Sequence, residues 1–396
     1  MAKIVINAVS AKSGGAATYL VNLACYMAKH GRGHQYFFCV PSKWMDLFQE
    51  LGNTISVIQS DVGFAGPWAR FFWDQVYLRG ILLKEKADVL ISSADFGMWL
   101  APCKQILMVR NTTFFSDFYI RTMLREKTLW QRLIFYIKRY FVSISVQNAD
   151  LVLTASETMM DDLKRAVDVP DAKAVINPFG TLLQKFHAPI RNSEGGSERV
   201  IDKTCRLLYV SEYGDYKNIK TLLKAIQLLR EKGLEKVHLR CTACPDQFME
   251  VDYQSRKEDM RLYSDPLIRP YVEFVDPLPY DKMPALYSQC DIFVFPSLLE
   301  SFGHPMVEAM ASGVPVVASD IPICHEICGE AAVYFSPLDA EALAKEIFDL
   351  WKKPEQMRRL SEIGRRRAEQ LFRWEDHAER LFDILKPAIE KQGQNR

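Results

Sequence analysis

Residues 296–320 read PSLLESFGHPMVEAMASGVPVVASD, and the reading of this stretch decides the fold. The run just before it, Ile292-Phe293-Val294-Phe295, is short, aromatic and β-branched enough for a buried strand. A loop over Pro296–His304 follows. Pro305 then stands where a first helical residue would, with φ already fixed and no N–H to waste. Met306, Val307, Glu308, Ala309 and Met310 continue the helix, Ser312-Gly313 ends it, and Val314–Ala318 is a second buried strand. Glu300 therefore lies in the loop and Glu308 about one turn inside the helix. A helix start offers unpaired N–H groups and the positive end of a dipole, which together suit a phosphate. Two carboxylates beside an anion would repel it unless they face its hydroxyl-bearing parts. Charged hydrogen bonds of that kind are worth roughly 1.5–3 kcal/mol each. The residues describe a cradle for a nucleotide-sugar, with phosphates at the helix start and hydroxyls on the two glutamates.

Glu300-Ser301-Phe302-Gly303, then Glu308-Ala309, Gly313 and Pro315-Val316-Val317, resemble the E-x7-E signature of retaining glycosyltransferases of the GT-B fold, family 4 in particular. The resemblance is similar to that seen in bacterial mannosyl- and rhamnosyltransferases of surface polysaccharide synthesis. It implies an α/β protein of two Rossmann-like parallel-sheet domains facing across a cleft. The corresponding division is 1–186 for the first domain, 187–200 for a polar, Gly/Ser-rich linker, 201–373 for the nucleotide-sugar domain and 374–396 for a helix crossing back. By the same resemblance Glu300 contacts the donor sugar near the reacting centre and Glu308 the ribose hydroxyls. The Phe302-Gly303 backbone approaches sugar and phosphate, with Ser301 and His304 among the donor contacts.

Working outward, Lys3–Val9 alternates as a strand and runs into Gly14-Gly15 ahead of a helical pattern, the arrangement that brings backbone N–H groups against a diphosphate. In the family such a Gly-Gly loop lies over donor and acceptor. The strand Asp88–Ser92 leads to Phe96-Gly97, and Gln105–Val109 leads to Arg110-Asn111, all possible sugar or acceptor contacts. Many relatives carry a His at this point, whereas Asn111 stands here; Asn exchanges hydrogen bonds but cannot carry a proton as imidazole does. In the second half, Cys205–Ser211 is a strand followed by Lys217-Asn218, matching the family's phosphate-clamping Lys. Ser211 and Asn218 line the same junction. The Arg that accompanies this Lys in relatives is absent, its places held by Glu212 and Tyr216, and Arg110 is a conceivable substitute. Asp276 and Leu278, after the strand Val272–Val275, match the nucleobase loop. Lys217 and Glu300 are the expected catalytic pair.

The 396 residues suffice for two domains, and 48% hydrophobic with 25% charged residues is a globular composition. A net charge of +1 argues against nucleic-acid binding driven by overall charge. No apolar run reaches membrane-spanning length, and the N-terminal segment reads as a strand rather than a signal peptide. The expected setting is cytoplasmic, and the nine cysteines are expected as free thiols. Cys241-x2-Cys244 and Cys324-x3-Cys328 have metal-like spacing, yet Cys241 ends an apolar strand where a thiol packs as a small hydrophobe. No Asp-x-Asp triplet occurs, so neither metal nor cofactor is expected beside the nucleotide-sugar substrate.

Residues 121–147 bear on partners. Trp130, Leu133, Ile134, Ile137, Phe141 and Ile144 make one stripe at helical spacing, with Arg125, Arg132 and Arg139 opposite. That pattern suits either a core-packed helix with a solvated basic face or a helix lying on an anionic membrane surface. The expected acceptor is a glycan or a lipid-linked sugar, at the inner face of the plasma membrane in the second case. Competing readings are a sugar-nucleotide epimerase, a phosphorylase, or a degenerate binding subunit.

Overall fold

The computed structural model describes the chain except residues 12–13, 49–50, 53, 187–203, 235, 244–253, 277 and 394–396. The linker read at 187–200 lies outside the described residues. Two compact units emerge, Met1–Pro178 with Glu375–Arg396, and Phe179–Trp374. The first boundary falls eight residues before the one read from sequence, and the reason is aromatic packing. Phe179 sits edge-on to Phe302, and Phe186 packs on Tyr280 and Tyr287, so 179–186 belong to the second unit.

Unit 1 is built on a parallel sheet of seven strands: β1 Lys3–Asn7, β2 Gln35–Val40, β3 Ile55–Gln59, β4 Val89–Ser92, β5 Lys104–Met108, β6 Leu151–Thr154 and β7 Ala174–Ile176. Their order is β3-β2-β1-β4-β5-β6-β7. Ile4, Val5 and Ile6 are wholly buried, as expected of a parallel strand covered on both faces. The chain turns outward in opposite directions from β1 and β4, so the loops after those two strands flank a crevice.

Unit 2 repeats the scheme with β8 Cys205–Tyr209, β9 Val237–Cys241, β10 Val272–Phe274, β11 Ile292–Phe295, β12 Val316–Ser319 and β13 Ala332–Phe335. The order is β10-β9-β8-β11-β12-β13, all parallel. Its switch point lies between β8 and β11. The decisive stretch folds as read: β11, a loop, a helix over His304–Ala311, then β12. Pro305 is its second residue rather than its first, and Gly313 beyond the last turn has φ +69°.

The terminal helix, Trp374–Gly393, packs on unit 1. His377 is fully buried, one ring nitrogen 2.9 Å from the Pro178 carbonyl and the other 3.0 Å from the Tyr19 hydroxyl. Arg380 donates to Asn177 Oδ1 at 3.1 Å and to the Pro178 carbonyl. Just before this helix the chain runs parallel to its earlier passage: Thr181 donates to the Phe372 carbonyl and Trp374 donates to the Thr181 carbonyl.

Two helical readings need correction. Trp68–Lys84 is not one regular helix but Pro67–Phe72, a π turn over Trp73–Tyr77, and Leu78–Glu85. The widened turn carries buried Asp74, which accepts from Asn7 Nδ2 at 2.8 Å and Arg70 Nε at 2.6 Å. In the helix Leu129–Asn148, the face turned into the core is Phe135, Val142, Ser145 and Val146. Trp130, Leu133 and Ile137, from the stripe read at 121–147, are exposed, which the core-packed alternative does not allow.

Candidate active site

The loops leaving β8 and β11 flank the switch point of unit 2, and the chain ties them together. Leu298 N–H donates to the Tyr216 carbonyl at 2.8 Å, Asn218 Nδ2 to the Pro296 carbonyl at 3.0 Å, and the Tyr209 hydroxyl to the Lys217 carbonyl at 2.9 Å. Between them Lys217 Nζ and Glu300 Oε1 form a mostly buried ion pair. Burial alone would push the Lys217 ammonium down in pKa. The facing Glu300 carboxylate, helped by Tyr209 and Tyr216, raises it instead, so the lysine stays charged at any physiological pH. Its ammonium also stands 5.2 Å from the Tyr216 ring centroid.

Asn218 is at φ +55°, the left-handed position immediately before the helix Ile219–Glu231. It is buried, with Oδ1 accepting from Thr221 at 2.7 Å. Its side chain holds the Lys217 turn in place. Ser211 sits at the end of β8, its N–H given to Thr242 Oγ1 and its hydroxyl to the Glu212 carbonyl.

Glu308 lies one turn into the helix His304–Ala311 and is buried. The Tyr287 hydroxyl donates to Glu308 Oε2 at 2.8 Å. Burial pushes the Glu308 carboxyl up to about 7, while hydrogen bonds from Tyr287 and Tyr280 pull the other way. Tyr280, which also donates to Glu308, follows the exposed Asp276 and Leu278 beyond β10. Residue 277 lies outside the described residues. Ser301 and His304 are half-buried, and Phe302 is core, edge-on to Phe179 and Phe372 at 5.5 Å each. Only its backbone can approach a ligand, as the resemblance implies. His304 stacks on Phe179 with centroids 5.2 Å apart.

The remaining expected residues lie in unit 1. Gly14 and Gly15 are not a loop but the first turn of the helix Gly14–His30, and a Cβ on Gly15 would meet open space. Asn111 is engaged locally, Oδ1 accepting from Thr113 N–H at 3.1 Å and Oγ1 at 2.6 Å. Asp95, at φ +33°, accepts the N–H groups of Arg110 and Asn111 at 2.8 and 2.9 Å. The Arg110 guanidinium lies 4.8 Å from the Tyr19 ring centroid. Burial lowers its pKa, and Tyr19 and Asp95 oppose that. Phe96 packs against Phe114, and the Gly97 carbonyl accepts from Gln75 Nε2. Among the described residues no three His, Cys, Asp or Glu side chains are grouped to hold a metal ion.

Residues 13–181 match the model of Glycosyltransferase Family 4, and residues 196–367 match that of Glycosyl transferases group 1. Both halves are glycosyltransferase domains. The O-antigen chain mannosyltransferase RfbU of Salmonella typhimurium is 25% identical over 321 residues, covering 80% of this chain and 82% of RfbU. Sucrose-phosphate synthase of Thermosynechococcus elongatus superposes with TM-score 0.76 at 19% identity over 99% of this chain and all of that one. The Anabaena protein HepE, solved with UDP-glucose, gives 0.72 at 17% identity over 98% and 100%. The fold of this glycosyltransferase is GT-B.

Sequence reading of the glycosyltransferase missed Tyr280 and Tyr287, which donate to Glu308 and oppose the effect of its burial, and Tyr209 and Tyr216, which support Lys217. Tyr216 and Tyr280 do sit next to residues singled out, but nothing in their spacing marks them. The glycine of the signature has a definite physical role. Gly303 has φ +87°, and a Cβ there would stand 2.5 Å from Met306 Cε. Gly303→Ala is expected to destabilise unit 2 by about 1–3 kcal/mol, visible as a lower midpoint in urea with an unchanged slope; an unshifted midpoint would count against the strained-turn assignment.

Proposed function

We propose that the chain is a retaining, metal-independent hexosyltransferase that moves a sugar from a nucleoside diphosphate to a hydroxyl of a glycan or lipid-linked acceptor. The Lys217–Glu300 pair at the switch point of unit 2 carries the reading. A nucleoside-diphosphate leaving group develops charge at the β-phosphate, and a fixed cation in a half-dry crevice stabilises that charge without reorganising. The bond from the anomeric carbon to the phosphate oxygen breaks, and the acceptor oxygen bonds to the same face of that carbon. The acceptor's proton passes to the departing phosphate oxygen, so no external base is required. Glu300 orients Lys217 and accepts from the sugar hydroxyls, while Glu308 accepts from the ribose. The Gly303–Pro305 backbone at the helix start faces the phosphates. The O-antigen chain mannosyltransferase RfbU favours mannose as the sugar and O-antigen or related polysaccharide synthesis as the setting; a uridine or thymidine sugar is the alternative donor.

A thermal-shift series over GDP-mannose, UDP-glucose and a dTDP-sugar tests the donor. The cognate one at a hundred times its dissociation constant adds about 2.7 kcal/mol to stability. The anomeric configuration of the product by NMR tests the mechanism, and an inverted linkage would overturn it.

A further inference from the structure

Unit 1 carries large apolar side chains on its surface, and they are not scattered. Trp68, Phe72 and Val76 recur along the helical segment that contains the π turn, and Trp68 is 73% exposed. Trp130, Leu133, Ile137 and Tyr140 recur along Leu129–Asn148, with Trp130 at 69%. A three-ring cluster joins the two stretches. Phe71 stacks on Phe141 at 5.6 Å, and Trp99 contacts Phe71 at 5.1 Å and Phe141 at 5.6 Å. Phe71 stands between Trp68 and Phe72 on its helix, Phe141 one turn beyond Ile137 on the other. Leu100, 75% exposed, follows Trp99.

The charge beside this face is mostly positive. The helix Leu129–Asn148 contains Arg132, Lys138 and Arg139 and no Asp or Glu. The residues leading into it add Arg121, Arg125 and Lys127 against Asp117 and Glu126. In a chain of net charge +1 this is a local excess. A second copy docking through the same face would bring like charges together about a two-fold axis. Anionic lipid headgroups would neutralise them, and Trp and Tyr rings favour the depth where headgroup meets acyl chain. Among the described residues no helix is long and apolar enough to cross a membrane, so the contact is shallow.

We propose that this two-helix face of unit 1, Trp68 through Val76 and Trp130 through Tyr140 with Leu100 between, seats the protein on an anionic lipid surface. The contact stands apart from the donor-site reading and does not depend on which sugar is moved.

The test is co-sedimentation of the full chain with vesicles of phosphatidylglycerol and phosphatidylethanolamine, against vesicles of phosphatidylcholine alone. Binding to the anionic vesicles, weakened by salt, is expected. Trp68→Ser with Phe72→Ser, and separately Trp130→Ser with Tyr140→Ser, should each lower partitioning about tenfold or more. Arg132→Gln with Lys138→Gln should remove about tenfold of the anionic preference. Circular dichroism and melting temperature should stay as in the wild type, and donor-dependent thermal shift should be unchanged. Equal partitioning of wild type and the Trp68/Phe72 variant would overturn the composite surface. Absence of vesicle binding, or a dimer in sedimentation velocity that Trp130→Ser with Tyr140→Ser dissolves, would overturn the lipid assignment.

Discussion

Glu300→Gln is expected to slow sugar transfer by about two to three orders of magnitude while leaving the fold intact. Gln preserves the shape of the side chain and an oxygen that accepts from Lys217. It removes the negative charge that fixes the ammonium in place and that serves as the stronger acceptor for sugar hydroxyls. The loss should fall in kcat more than in KM, because the pair matters most as charge moves onto the departing diphosphate. Lys217→Ala should be at least as severe, but it also strands a carboxylate that is only 12% exposed. Breaking a buried pair from one side costs about 3–5 kcal/mol, so this variant needs a melting curve beside its kinetics. Turnover of nucleotide-sugar by Glu300→Gln at the wild-type rate would remove the pair from the chemistry. No turnover by the wild type with any donor would favour a binding subunit that has kept the fold.

The second large effect concerns acidity. Glu308→Gln is expected to make the ligand-free protein more stable than wild type at pH 8 and equally stable near pH 4. The carboxyl titrates near its ordinary 4.5 in the unfolded chain and at about 7 in the folded one. Between those values the folded protein holds a proton that the unfolded chain has released. Stability is thus complete below 4.5 and falls as pH rises through 7. At about 1.4 kcal/mol for each tenfold change in proton affinity the loss is of order 3 kcal/mol. Gln has no proton to lose, so the stability gap between variant and wild type should open across that window. Donor affinity should move the opposite way. A ribose diol donates to carboxylate better than to amide, which predicts binding about 10–100-fold weaker in the variant. In the wild type, donor binding should weaken below pH 7 as Glu308 takes up its proton. A stability difference that is flat from pH 4 to 8, in thermal melts without ligand, would show that Glu308 is not held as described.

Why some of this could be read from the chain and some could not follows from the range of the forces. The strand, turn, helix and strand around Glu300 and Glu308 are declared by local chemistry: a fixed φ at Pro305, positive φ at Gly303 and Gly313, unbroken apolar strands. The state of Glu308 is not local. Burial raises its pKa against hydrogen bonds from Tyr280 and Tyr287, which precede it by 28 and 21 residues and reach it only once the helix Met283–Ser288 has packed. The partners of Asn218 and of Asn111 Oδ1 are likewise set by turns that become visible only in three dimensions. The helix Leu129–Asn148 stayed open between two readings for a different reason. Both of its faces are apolar, one through Phe135, Val142 and Val146 and the other through Trp130, Leu133 and Ile137. Periodicity reveals a stripe but not which side of it the sheet will cover.

The return of the last helix to unit 1 bears on how the protein is made. Tyr19, Asn177 and Pro178 wait for His377 and Arg380, which leave the ribosome only after every residue of unit 2. During synthesis the first half must therefore persist without its final layer while some two hundred further residues are added, at a pace of roughly 5–20 per second. Translation is in this sense a delay of roughly ten to forty seconds during which the earlier half stands unfinished.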